Sequence, residues 1–385
     1  MIVGTHHWPA QERVIYGRPA ADALDDEVRN AGATRVFFTT TRSISHGIFI
    51  AKLIERLGQR FVGKFDAITA HSPREAVIAG TEALRASKAN LMVAIGGGSV
   101  IDATKVMLLA LWRGIHDKEA LSTLAGIGAS ASAWSADPQR LRMIAIPTTF
   151  SAAEFSPQAA TINTERRIKQ MYMHPLAVPK SVILDPAATL ETPINLLLST
   201  GIRAIDHAIE GWCSIKTTPI ADASNREAMQ LLAKSLFQIK HDPQNLEPRA
   251  MAQHGMWLTR IATMAEIPYG ASHGIGYLLG GGRGIPHGIT SCVTLPAVMT
   301  WNENTNGARQ ADISAMFGGS GRSAGSVLRE FIIALNLPSR LREVGIEHAE
   351  LPIVAANWDG GGPIATNPRR VHDKSDLLEI LELAW

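Results

Sequence analysis

The chain has only two cysteines in 385 residues. Cys213 and Cys292 are far apart in sequence, which excludes a disulfide framework and a closely spaced thiolate metal site and fits a reducing compartment. Excess charge is missing too. Thirty-seven basic residues face 35 acidic ones, for a net charge of +2. That balance, with no basic block and no RNA-binding signature, argues against nucleic acid or an anionic membrane as the main partner. No apolar run reaches the ~18 residues of a membrane span. The N-terminal MIVGTHHWPAQERVIYG lacks the charged-then-apolar order of a signal peptide. A soluble cytoplasmic protein is expected. What the chain does have is globular material, 46% hydrophobic and 19% charged, at a length that suggests two domains.

Strand and helix patterns alternate through the first half. RVIYG, RVFFTTT, FVGKFDAIT, LMVAIGGGS, LRMIAIP and SVILD read as strands, with helical stretches between most of them. Such alternation predicts a parallel, doubly wound sheet, a Rossmann-like α/β domain. Residues 113–140 are small and polar and read as an insertion or mobile excursion. The domain boundary is expected near 190, giving domains of 1–190 and 191–385. Beyond it strand signals nearly vanish, so the second domain is expected to be all-helical, with a cleft between the two.

Four stretches carry chemistry. Gly96-Gly97-Gly98-Ser99 lies at a strand-to-helix turn, where close backbone approach and free helix N–H groups suit a phosphate. It matches neither GxGxxG nor a Walker sequence. Asp102, in the first helical turn, either favours the helix dipole or reaches the ligand. Thr148 and Thr149 end a strand, where open α/β sheets bind ligands. In GIRAIDHAIE, Arg203 and His207 are four apart and share a helix face, whereas Asp206 is expected to point elsewhere. Alone, that pair reads as a surface arginine and a satisfied helix histidine. Finally, YGASHGIGYLLGGGRGIPHG sets His273 and His287 fourteen apart around Tyr277 and a glycine cluster. A helical first half followed by a Gly-rich turn would let both imidazoles converge on a metal or a proton-transfer site.

Taken in order, IGGGSVIDATK, AIPTTFSAAEFSP, VPKSVILDPAATLETP, GIRAIDHAIEG, GASHGIGYLLGGGRGIPHG and NPRRVHDKSDLLEILELAW resemble the iron-containing alcohol dehydrogenase superfamily over nearly the whole chain. IPTT and the NPR…LLEILELAW tail look most like its maleylacetate reductase branch. The resemblance implies the iron-containing alcohol dehydrogenase fold, shared with dehydroquinate synthase, and an NAD(P)-dependent oxidoreductase. It assigns Gly96, Gly97, Gly98 and Ser99 to the cofactor pyrophosphate and Thr148 and Thr149, with Ser151 in the same motif, to the nicotinamide side. Lys169 is assigned to the ribose. Thr40 falls where many relatives carry an acidic residue on the adenosine ribose; a hydroxyl there, with Arg42 nearby, leaves NADP open beside NAD. Relatives commonly dimerise or form larger rings, so a homodimer is expected, although no stretch specifies an interface.

The family's metal set is an Asp, a His four later, then two His fourteen apart. His207, His273 and His287 match the histidines, but Arg203 stands at the Asp position. Tyr277 stands where relatives carry a histidine linked to proton transfer. Replacing a carboxylate by a guanidinium should strongly depress metal affinity, since unit charges at ~4 Å interact by about 4 kcal/mol even at an effective dielectric near 20. The expectation is therefore a metal-independent reductase of a small carbonyl or enoate bearing an anionic group. Arg203, His207, His273 and His287 would hold the substrate, and Tyr277 would either donate a proton or wall the pocket. Two alternatives stay open. One is a metal-dependent alcohol dehydrogenase using the three histidines; the other is a non-redox, lyase-type enzyme with bound NAD.

Overall fold

A computed structural model describes residues 5–126, 141–166 and 168–385. The chain divides into two units, Trp8–Thr192 and Pro193–Trp385, the first residues through His7 grouping with the latter. His7 shows why: its N–H donates to the Met264 carbonyl at 2.7 Å and its Nε2 meets Glu266 Oε1 at 3.1 Å.

The first unit holds a six-stranded parallel sheet. Its strands are β1 (Arg13–Tyr16), β2 (Val36–Thr39), β3 (Phe61–Phe65), β4 (Leu91–Gly96), β5 (Met143–Pro147) and, after a hairpin, β8 (Ser181–Leu184), in the order β1-β8-β5-β4-β2-β3. Strands β2, β4, β5 and β8 are buried along their whole length, whereas the edges β1 and β3 are half-exposed. That is why the central strands read as continuous apolar runs rather than alternating ones. Helices α1 (Ala20–Asn30) and α2 (Ile48–Leu57) pack together, as do α3 (Arg74–Ser87) and α4 (Gly98–Trp112), with a short α5 (Lys118–Ser122) after them. The connection leaving β2 runs outward to β3, and the one leaving β4 runs the other way to β5. The chain therefore reverses direction between the adjacent β2 and β4, paired Thr39 to Ala94, which is where such sheets open a ligand crevice.

One element escaped the sequence reading. Residues Gln158–Asn163 (β6) and Ile168–Met173 (β7) form a separate antiparallel hairpin, and Lys169 sits on β7 opposite Ile162. Of the stretch read as an excursion, residues 118–122 form α5, and residues 127–140 lie outside the described residues.

The second unit is helical, with no strand among its described residues. Its helices are α6 (Ile194–Cys213), α7 (Pro219–His241), α8 (Leu246–Leu258), α9 (Arg260–Met264), α10 (Ala271–Arg283), α11 (His287–Met316), α12 (Ala324–Ala334), α13 (Leu351–Ala356), α14 (Gly362–Ala365) and α15 (Lys374–Ala384). Among the described residues, no helix is long and apolar enough to cross a membrane. Both cysteines are free and buried, and burial pushes the Cys213 thiol up to about 12, which leaves it unreactive.

Phe38, fully buried on β2, meets Phe61 edge-on with ring centroids 5.1 Å apart. Phe38→Ala is expected to cost about 3–5 kcal/mol by loss of burial and creation of a cavity. Urea unfolding followed by circular dichroism checks this, and a loss below about 1 kcal/mol would contradict it.

Candidate active site

At the carboxyl end of the sheet, β4 stops at Gly96, Gly97 caps α4 and Gly98 opens it. A Cβ on Gly97 would lie 3.0 Å from Thr149 Cγ2, and one on Gly98 would lie 3.1 Å from Ser151 Oγ. Glycine suits both positions because the segment after β5 packs directly on the turn. Ser99 Oγ accepts the His71 N–H at 3.1 Å, and Ser72 Oγ donates to the Ser99 carbonyl at 2.7 Å. The hydroxyls of Thr40, Thr148 and Thr149 are all buried without a hydrogen-bond partner. Buried polar atoms normally find partners. Three orphaned hydroxyls at the ends of β2 and β5, flanking the open N-terminus of α4, fit a polar ligand with phosphates. Asp102 is half-buried and accepts the Ala160 N–H at 3.1 Å, with Lys105 Nζ 3.6 Å away. Burial raises its pKa, against the pull of Lys105 and Lys169. These contacts tie α4 to β6.

The helical unit holds the second set. Arg203 and His207 stack one turn apart on α6, both buried. Asp206 does not point away, as a count of i+4 neighbours alone implies. It lies three residues from Arg203 and so borders the same face. Arg203 Nη1 donates to Ser291 Oγ at 3.0 Å and to Asp206 Oδ2 at 3.4 Å. The same Asp206 oxygen accepts from Ser291 at 2.5 Å and from Ser272 at 3.0 Å. Arg203 is thus turned inward, 8% exposed.

Helix α10 brings His273. The turn expected between the histidines is present but shorter: Gly280, Gly281 and Gly282 are still helical, and the chain leaves α10 at Gly284, at φ 69°, to re-enter a helix at His287. Gly280 lets His287 pack closely, since a Cβ there would fall 3.0 Å from His287 Cε1. His287 opens α11 and meets Tyr277 edge-on at 6.2 Å. The His207 and His273 rings are 4.9 Å apart, and Tyr269 stacks flat on His273 at 3.9 Å, with Arg260 Nη1 donating to its hydroxyl at 2.9 Å.

The first four amides of a helix need outside partners, and two buried side chains supply them for the start of α10. Glu210 Oε2 accepts from the Gly270 N–H at 2.8 Å, Glu210 Oε1 from the Ser272 N–H at 2.8 Å, and Asn367 Oδ1 from the Ala271 N–H at 3.2 Å. Glu210 Oε2 also meets His273 Nδ1 at 2.7 Å. Sequence reasoning missed Asp206, Glu210, Arg260, Tyr269, Ser272, Ser291 and Asn367. Asp206 and Glu210 carried a partial signal, as the two acidic residues of a mostly apolar helix on either side of His207.

Burial dominates the charges. It lifts the Asp206 carboxyl to about 8, with the nearby Glu210 adding to the rise and Arg203 opposing it. It lifts Glu210 to about 7 against the amides of Gly270 and Ser272. Two carboxyls in one dry pocket cannot easily both ionise. The amides favour charge on Glu210, so the shared proton resides chiefly on Asp206. His207 is held well below the ordinary imidazole range by burial first and then by His273, Arg260 and Arg203.

The residues now have an address among known proteins. Residues 11–186 match the family described as iron-containing alcohol dehydrogenase, and residues 197–385 match the C-terminal domain of the Fe-containing alcohol dehydrogenase family. The chain belongs to the iron-containing alcohol dehydrogenase family. It is an oxidoreductase of that NAD(P)-dependent family. The chain is 29% identical to the dehydrogenase FUM7 of Gibberella moniliformis over 96% of this chain and 95% of that protein. It is 27% identical to a maleylacetate reductase of Rhizobium sp., covering 90% and 88%. The solved structure of a 1,3-propanediol oxidoreductase shares the fold at a TM-score of 0.88, with 23% identity and all of both chains covered.

The family's name implies an iron, and the donor set can be tested against one. The three histidines lack the carboxylate that would offset a divalent charge; Arg203 stands in its place. Cationic neighbours already depress protonation of His207 and would oppose a metal ion for the same reason. Asp206, Glu210 and His273 do place ligand atoms within 4.8 Å of one another. Those atoms are engaged, however: Glu210 by backbone amides and His273, Asp206 Oδ2 by two serines and Arg203. The three-histidine set is thus short of negative charge, and the Asp206–Glu210–His273 set has much of its donor capacity already taken up by hydrogen bonds.

The sign of the Asp206 shift gives a pH test. Unfolded, the carboxyl ionises near 3.8; folded, near 8. Between those values the folded chain keeps a proton that the unfolded chain has lost, so Asp206 lowers stability as pH rises through that window. Asp206→Asn is therefore expected to flatten the fall of Tm between about pH 4 and pH 8. Thermal scans across that range check it; parallel curves for variant and wild type would contradict it.

Proposed function

We propose that the protein is an NAD(P)-dependent, metal-independent reductase of a small carbonyl or enoate substrate carrying an anionic group. The observation that carries this reading is Arg203, buried and turned into the polar cluster one helical turn before His207. With its partner Asp206 largely protonated at neutral pH, the guanidinium keeps most of its positive charge unneutralised. A buried cation of this kind needs an anion, and a carboxylate or a developing alkoxide provides one. The Rhizobium maleylacetate reductase is named for a substrate of that class.

The cofactor residues would be Gly96, Gly97, Gly98 and Ser99 at the pyrophosphate, with Thr40, Thr148, Thr149 and Ser151 around it and Lys169 toward the ribose. Their support is the open N-terminus of α4 and the three unpartnered hydroxyls. Asp102, held by the Ala160 amide and Lys105, would brace α4 beside the cofactor. Thr40 carries no charge against a 2′-phosphate, so NADP is accommodated as well as NAD. When bound there, NAD(P)H would supply the hydride. Arg203 fixes the substrate anion and steadies charge on the reduced oxygen, His207 and His273 hold the substrate by hydrogen bonds, and Tyr277 beside His287 delivers the proton to the alkoxide.

Removing the positive charge with Arg203→Met is expected to lower kcat/KM for anionic carbonyl substrates by about 10²–10³-fold, the usual scale for one lost transition-state donor. Neutral aldehydes would be affected less. Dialysis against a chelator is expected to leave activity unchanged and metal analysis to find no stoichiometric iron or zinc. Stoichiometric metal whose removal abolishes turnover would overturn the proposal, as would tight NAD binding with no reduction of any aldehyde or keto acid.

A further inference from the structure

The hydrogen bonds of Arg203 to the described residues all leave from one corner of its guanidinium. Nη1 donates to Ser291 Oγ at 3.0 Å and, less closely, to Asp206 Oδ2 at 3.4 Å. Gly276 of α10 borders the same corner, since an added Cβ there would lie 3.7 Å from Nη1. Guanidinium nitrogens only donate, so Ser291 Oγ accepts from Arg203, and its one proton goes to Asp206 Oδ2 at 2.5 Å. Ser291 is fully buried on α11, one turn beyond His287. It therefore holds Nη1 by the only bond of ordinary length that the guanidinium makes among the described residues. Nε and Nη2 have no partner among those residues, yet neither is a sealed atom left unsatisfied. The side chain keeps 10% of its surface. What stays open is thus the Nε–Nη2 edge, two parallel N–H donors in one plane. That edge matches the two coplanar oxygens of a carboxylate.

We propose that Ser291 is the positioning residue for Arg203: it ties down Nη1 so that the Nε–Nη2 edge receives a substrate carboxylate side-on, through two hydrogen bonds. The proposal rests on the reductase reading for the carbonyl that is then reduced, although the carboxylate seat itself does not depend on it. Thr294 makes a natural control. It is equally buried on α11, three residues on, and its Oγ1 lies 2.9 Å from Ser272 Oγ without bonding Arg203. A purely structural role for Ser291 would make the two hydroxyls equivalent.

The deciding experiment is guanidinium NMR on protein labelled with ¹⁵N-arginine and saturated with NAD(P)H. The Arg203 Nε–H signal is assigned by its loss in Arg203→Lys, and the probe titrated is oxamate, a small carboxylate. The wild type is expected to show a saturable shift of that signal with oxamate and none with neutral oxamide or inorganic phosphate at the same concentrations. Ser291→Ala is expected to weaken oxamate binding about tenfold, the scale of one hydrogen bond to a charged group. In turnover it should lower the kcat/KM preference for an oxo acid over its methyl ester by about the same factor. Thr294→Ala is expected to lower Tm and leave oxamate binding as in wild type. An Nε–H signal that oxamate does not move in the wild type overturns the proposal without any variant having to fold. An equal response to phosphate overturns the carboxylate assignment. Oxamate binding weakened as much in Thr294→Ala as in Ser291→Ala, or in neither, overturns the positioning role. If no carbonyl is reduced by the wild type, the reductase reading fails, and the oxamate titration still decides the role of Ser291.

Discussion

A guanidinium buried beside two carboxyl groups sets the terms for the helical unit. Arg203, Asp206 and Glu210 occupy successive turns of α6, all nearly out of contact with solvent. Burying an ion costs several kcal/mol unless its surroundings compensate. Here the compensation is partial: Asp206 is pushed toward its neutral form by burial, and Glu210 spends its charge on the amides of α10. The remaining positive charge lies with Arg203, turned inward against Asp206 and Ser291.

The same α6 side chains determine where α10 begins, and hence where His273 stands. Glu210 from α6 and Asn367 from the segment before α15 converge on one helix start, satisfying amides that would otherwise be stranded in the interior. Asn367 is bonded in both directions to Asn302 on α11. The C-terminal NPRR stretch is thereby explained as architecture: Asn367 caps, and Arg369 lies over the Trp301 ring at 3.4 Å and donates to its carbonyl. In the sheet unit the comparable economy is steric. Two glycines admit Thr149 and Ser151 against the α4 N-terminus, and the hydroxyls left unpartnered lie at the strand ends.

Much of this was legible in the sequence. The six parallel strands were readable because buried central strands are written as unbroken apolar runs, and the helical half because its 3.6-residue periodicity is sustained. The β6–β7 hairpin was not, because its exposed face and the charged turn at 164–166 blur the alternation. The helical state of Gly280–Gly282 was hidden as well. Glycine clusters usually signal turns, and the packing of His287 against Gly280 accounts for only one of the three. The candidate site residues stood out where their type was unusual for the position, as with Arg203 and Tyr277. Asp206, Glu210, Ser272 and Asn367 act through hydrogen bonds between segments distant in sequence, and no local pattern encodes those.

The account stands or falls on what Arg203 touches when the site is loaded. A crystal structure with NAD(P) and an anionic substrate analogue, with anomalous data collected at the iron and zinc edges, tests this most directly. The account predicts the analogue's negatively charged group on the Arg203 guanidinium and no anomalous peak among His207, His273 and His287. A strong peak coordinated by those three imidazoles, with Arg203 swung away from Asp206 and Ser291, would contradict it.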